Sequence, residues 1–88
     1  MGVFMEEGEL IGNVESYFSK IGVAAIKLSG DLKVDAKIKI KGHTTEFEQT
    51  VDSMQIDREE VEEASDGDEI GIKVSDRVRP NDKVYKIE

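Results

Sequence analysis

The segment Lys37-Ile38-Lys39-Ile40-Lys41 alternates charged and branched apolar side chains without a break. That period of two belongs to a strand, with both isoleucines on a buried face and the three lysines toward water. Glycines, the single Pro80 and Asp/Asn clusters cut the rest of the chain into short pieces rich in Val, Ile and Thr, which is strand punctuation. No piece sustains a helical period beyond about two turns, so a parallel sheet with helical crossovers is removed. Strand edges left open invite mispairing, and a small closed antiparallel barrel is the expected way to seal them.

Six strands are expected. In the first, Leu10, Gly12, Val14, Ser16 and Phe18 share one face, with Asn13, Glu15 and Tyr17 on the other. A turn at Lys20-Ile21-Gly22 leads to a second strand with Ala24, Ile26 and Leu28 in phase. The lysine-isoleucine strand is the third. Residues 46 to 57 begin with Phe47 and Val51 on odd positions and end with Met54 and Ile56 on even ones, so the phase slips near Asp52-Ser53 and predicts a bulge or kink there. Arg58 to Ser65, with Val61 and Ala64 three apart, reads as a helix-like turn packed over a barrel end. Ile70, Ile72 and Val74 form the fifth strand, and residues 84 to 87 close the chain. Three turns place a residue tolerant of positive φ just before a strand, and Asp35, Gly67 and Asn81 are the expected left-handed positions.

At 88 residues, 38% apolar and 36% charged, the chain holds one modest core. Residues 9 to 88 are expected as a single domain, behind a flexible tail over residues 1 to 8. The absence of cysteine excludes disulfides, thiolate metal sites and a thiol nucleophile. With no apolar run long enough for a membrane span and no signal-peptide core, the expected location is cytoplasmic. The net charge of −8 is uneven: residues 1 to 45 hold six Lys/Arg and six Asp/Glu, and residues 46 to 88 hold six against fourteen. Asp57, Glu59, Glu60, Glu62, Glu63, Asp66, Asp68 and Glu69 make one acidic segment relieved only by Arg58. Coating a nucleic-acid duplex is excluded unless lysines gather locally.

Taken in order, Ile11-Gly12-Asn13-Val14, Gly22-Val23-Ala24, Leu28-Ser29-Gly30-Asp31-Leu32-Lys33-Val34, Ile38-Lys39-Ile40, Val51-Asp52-Ser53-Met54-Gln55, Ala64-Ser65-Asp66-Gly67-Asp68-Glu69-Ile70-Gly71-Ile72 and Val78-Arg79-Pro80-Asn81-Asp82 resemble domain two of elongation factor Tu and its relatives. The resemblance covers roughly residues 9 to 88. It implies an all-β fold, a closed six-stranded antiparallel Greek-key barrel. It further implies a non-catalytic adaptor that contacts transfer RNA, the ribosome or a translation-related protein. The sequence departs from that family where Ser53 and Glu69 replace the residues of the aminoacyl pocket. No G-x-x-x-x-G-K-[ST] loop is present, so GTP binding by this chain alone is not expected. A similar small barrel occurs as the C-terminal accessory domain of collagenase-like peptidases. That second resemblance implies a protein-interaction module with no RNA role.

The candidate RNA-binding residues are Lys33, Lys37, Lys39 and Lys41, with His43 continuing the row, and Arg77 and Arg79 flanking Val78. A lysine ridge can follow phosphates, or it can simply keep an exposed strand from pairing. Ordinary surface pairing of the arginines with Asp76 or Asp82 is the plain alternative to a bidentate anion grip. The acidic segment offers a face for a basic protein partner. Its spacing lacks the ligand pattern of a calcium loop, so no metal is expected. No cofactor is expected, and no catalytic residue is assigned.

Overall fold

The computed structural model describes residues 8 to 87. Every regular element in them is a strand: β1 (Glu9–Phe18), β2 (Val23–Leu28), β3 (Leu32–Lys33), β4 (Lys37–Lys41), β5 (Glu46–Thr50), β6 (Met54–Ile56), β7 (Glu59–Val61), β8 (Glu63–Ala64), β9 (Glu69–Lys73) and β10 (Lys83–Lys86). The all-β expectation holds. The closed six-stranded barrel does not: eight strands form one curled sheet in the order β5-β4-β10-β1-β2-β9-β6-β7, and β3 pairs with β8 in a separate two-stranded ladder. The terminal strands β5 and β7 do not pair with each other, so the cylinder stays open along one seam.

The reason for the seam lies at the expected phase slip. Val51 and Met54 are both buried although one is odd and the other even, and residues 51 to 53 lie between strands. The chain therefore breaks its strand at Asp52-Ser53 and moves from pairing with β4 to pairing with β9. It meets β9 at one register position, Gln55 opposite Gly71. One expected strand becomes β5, at one border of the sheet, and β6, next to the other border strand β7.

The core fills the inside of the curl in cross-strand rows. Phe47, Ile40, Val84 and Leu28 run along one row through Gly12, and Val14, Ile26 and Ile70 along the next. Gly12 has no room for a side chain there, because a Cβ would stand 2.7 Å from the Lys27 carbonyl oxygen. Ile11, Ile38, Leu32, Val51, Met54, Ile72 and Val78 are buried in the same cluster, which is where a chain this small finds its stability.

Two details overturn the sequence reading. In β1 the buried residues are Ile11, Gly12 and Val14, whereas Leu10 is 48% exposed and Phe18 51% exposed. The register slips between Leu10 and Gly12 against β10, and between Val14 and Ser16 against β2. Each extra residue reverses the faces, so a strict period of two misplaces Leu10 and Phe18.

The Arg58 to Ser65 stretch is not a helix-like turn. Asp57 and Arg58 have φ of 54° and 69°, the paired positive values of a two-residue type I′ connection, and they fold β7 back on β6. The remaining backbone expectation holds at all three positions, with φ of 81° at Asp35, 94° at Gly67 and 77° at Asn81. The expected tail lies outside the described residues except for Gly8, which rests against the backbone of Lys86.

Candidate functional site

The structure separates the seven candidate residues: three lysines stay together on β4, Lys33 and His43 stand apart from them, and the two arginines form a third group. Lys37, Lys39 and Lys41 do project from one face of β4, but the face is not a bare ridge. Directly opposite them on β5 stand Thr50, Glu48 and Glu46, and Lys39 Nζ lies 3.2 Å from Glu46 Oε2 with only 13% of its side chain exposed. Lys83 of β10 pairs with Lys41 and with Asn13, and Asn13 pairs in turn with Lys27, whose ammonium is 3.9 Å from Glu69. This outer row thus reads Glu46, Lys41, Lys83, Asn13, Lys27, Glu69. Lysines in its middle and carboxylates at both ends make a solvated, mixed-charge wall, unsuited to tracking a phosphate chain. Lys27 and Lys83 belong to that wall although the sequence reading left them out, because their strands are distant in sequence and only the register joins them.

Lys33 is elsewhere, on β3 opposite Glu63 of β8. His43 does not continue the lysine row. It sits exposed on the bend from Gly42 to Thr45, closed by the Gly42 N–H donating to the Thr45 carbonyl at 2.7 Å.

Arg77 and Arg79 form the third group, and here the structure brings together residues far apart in sequence. The segment after β9 runs beside the beginning of β5 along the open seam, and a depression of about 360 Å³ lies between them. Thr44, Thr45, Glu46 and Phe47 line one wall, with Asp76, Arg77 and Arg79 on the other. Next to the depression in sequence, a side chain bridges its two walls. The Gln49 side chain spans the seam, donating through Nε2 to the Lys73 carbonyl and accepting the Ser75 N–H through Oε1, both at 2.8 Å. Gln49 holds an inward position of β5, alternating with exposed residues as Phe47 does. A polar residue on an inward face was the one available sign of this bridge in the sequence.

The expected pairing of the arginines is corrected as well. Asp76 Oδ1 accepts the backbone N–H of Arg77 at 2.8 Å, and Asp82 Oδ2 accepts the backbone N–H of Arg79 at 2.9 Å. The carboxylates hold the loop, and neither guanidinium enters an ion pair among the described residues. Asp82 is 4% exposed, and a Cβ on Gly42 would overlap its carboxylate, so the two turns at this end of the sheet are locked together.

A second depression, of about 270 Å³, lies over the acidic lobe, with Val34, Met54 and Val61 as its floor and Asp52, Glu60 and Glu62 at its rim. Its acidic groups do not converge: among the described residues no three His, Asp or Glu side chains gather as a metal site. Nor is any helix among them long and apolar enough to cross a membrane.

An all-β domain with an open seam and an unpaired arginine couple is therefore the class of structure to be compared with known proteins. No family model matches the chain. It is 43% identical over 76 residues, 85% of its length, to an uncharacterized protease of Methanocaldococcus jannaschii. It is 38% identical over 80 residues to a collagenase of Porphyromonas gingivalis. The chain spans about a fifth of the length of these relatives, 19% and 22% respectively. In three dimensions it matches the C-terminal domain of a putative U32 peptidase of Geobacillus thermoleovorans with a TM-score of 0.85, at 18% identity, covering 89% of this chain and 99% of that one.

The fold is that of this peptidase C-terminal domain, and the sequence is similar to one segment of collagenase-like proteases. This overturns the resemblance to domain two of elongation factor Tu, and with it the translation and RNA-binding reading. The quoted motifs misled because most of them specify turns. A residue at positive φ before a strand, as at Asp35, Gly67 and Asn81, is required by any small twisted sheet and carries no lineage.

Proposed function

We propose that the chain is a non-catalytic accessory module of the collagenase-like peptidase type, and that it works by holding polypeptide. The observation that carries this reading is the pair of likenesses: a segment making up about a fifth of two proteases, and a solved peptidase C-terminal domain matched over 99% of its own length. In those relatives the matching segment is a small part of a longer chain, and on this reading its contribution is to position polypeptide rather than to cleave it. The arrangement of chemistry supports the same reading. His43 stands exposed on its bend and makes no hydrogen bond to a hydroxyl or carboxylate among the described residues, so it lacks the orienting partners a general base needs. The unpaired border of β5 and the seam depression offer backbone and side-chain groups to an extended chain.

Denatured collagen is the direct test. The immobilised chain is expected to retain it and return it with no new N-termini. Cleavage that disappears in His43→Ala would overturn the non-catalytic half, and loss of retention would overturn the polypeptide-holding half.

A further inference from the structure

Arg77 and Arg79 carry chemistry that the fold itself does not use. They flank buried Val78, are both exposed, and line one depression. Their neighbouring carboxylates are engaged by backbone N–H groups, so the two guanidiniums face the seam without a charge partner among the described residues. Each guanidinium offers a planar fork of donors matched to the two oxygens of a carboxylate. Thr44 and Thr45 line the opposite wall beside the ring of Phe47.

We propose that this depression binds the C-terminal carboxylate of a peptide laid along β5. The assignment rests on the polypeptide-holding reading above and names the group by which the peptide is recognised. Three observations favour a chain terminus. First, β5 is the last strand of the sheet and pairs with a strand on one edge only, so the beginning of its other edge, ahead of the Gln49 bridge, is open to an extended peptide. Second, the Gln49 bridge to Lys73 and Ser75 closes the seam just beyond Phe47 and Asp76, and a strand entering there has to end. Third, of the two carboxylates that share the walls with the arginines, Glu46 lies 3.2 Å from Lys39 Nζ and Asp76 accepts the Arg77 backbone N–H, which leaves the two guanidiniums to meet an anion. The same carboxylates, in a chain of net charge −8, oppose a run of phosphates more than one singly charged carboxylate. Phe47, half-buried in the inward row of β5, also borders the depression.

The test uses acetyl-Gly-Ala-Leu as the free acid and as its amide, titrated into the isotope-labelled chain and followed by backbone amide shifts. The free acid is expected to move Thr44, Thr45, Arg77 and Arg79, and the amide to bind about tenfold more weakly, the effect of one lost charge-assisted contact. The variant carrying Arg77→Gln and Arg79→Gln keeps the backbone bonds to Asp76 and Asp82 and is expected to bind acid and amide alike. Equal binding of acid and amide by the unaltered chain would overturn the assignment, as would binding of neither. Displacement of the acid by an equal concentration of inorganic phosphate would also overturn it, marking a general anion site. Retention of denatured collagen by the unaltered chain and the double variant alike would remove this site and leave the polypeptide-holding reading standing. Acid binding without collagen retention would do the reverse.

Discussion

The molecule has a body and a lobe, and they are held together by different physics. In the body, β1, β2, β4, β9 and β10 run in ladders of four to six register pairs, and their inward rows enclose Ile11, Ile26, Ile38, Ile40 and Val84 at full or near-full burial. In the lobe, β3, β6, β7 and β8 are two or three residues long. The sheet joins lobe to body at the single Gln55–Gly71 position. The lobe also holds seven of the eight clustered carboxylates within Asp57 to Asp68. Long ladders and burial fix the body; the lobe adds Leu32, Met54 and Ala64 to the same core, but its short strands rest on turn geometry as well, so it depends more on individual φ angles.

The largest expected effect tests the body. Ile26→Ala removes a fully buried side chain between Val14 and Ile70 and should cost about 2–5 kcal/mol, read as a lowered denaturant midpoint. Ile56→Ala in the lobe removes the same atoms from a half-buried position and should cost roughly half as much or less. Equal costs would break the distinction. Amide hydrogen exchange sharpens it further: the amides of β7 and β8 should exchange through small local openings, while those of β2 wait for global unfolding.

How much of this was legible in the sequence follows the same division. The strict alternation from Lys37 to Lys41 placed β4 and both its faces, and the clash of parity between Val51 and Met54 located the break that opens the sheet. Local chemistry also marked Asp35, Gly67 and Asn81. Where a ladder carries an extra residue, as at Ile11 and Glu15, periodicity points the wrong way, because the bulge is decided by the partner strands β10 and β2. The lobe misled for a different reason. Val61 and Ala64 are three apart by coincidence, and the hairpin depends on Arg58 at positive φ, a conformation no arginine advertises. In the candidate site, Arg77 and Arg79 could be singled out, but the opposing Thr44 and Thr45 could not, since they meet the arginines only after the sheet has curled, and the inward polar Gln49 hinted at a bridge without naming Lys73 and Ser75 as its partners.

The seam gives an intermediate effect. Gln49→Ala leaves the Ser75 N–H and the Lys73 carbonyl to water at an exposed position and should cost about 1 kcal/mol, with the Ser75 amide losing exchange protection. A loss confined to β5 and residues 73 to 75 fits a bridge across an open border. A loss spread through β2 would mean that the bridge supports the body, and the seam would then count as part of it.

The smallest effect has the opposite sign in the lobe and none in the body. Arg58 holds φ of 69° at the β6–β7 turn, where a Cβ clashes with the backbone and glycine does not. Arg58→Gly should therefore stabilise by up to about 1 kcal/mol, less whatever the looser unfolded chain takes back. Lys27→Met is its counterpart on the body's outer wall. It removes an exposed pair to Glu69 at 3.9 Å and should change stability by less than about 0.5 kcal/mol. Thermal midpoints of the two variants measured side by side decide the matter. A gain at Arg58 with no change at Lys27 shows that the lobe's conformation is limited by one backbone angle while the body's charges are incidental to its fold. A loss at Arg58 would mean that its side chain, alone among eight carboxylates, offsets their repulsion by more than the strained turn costs.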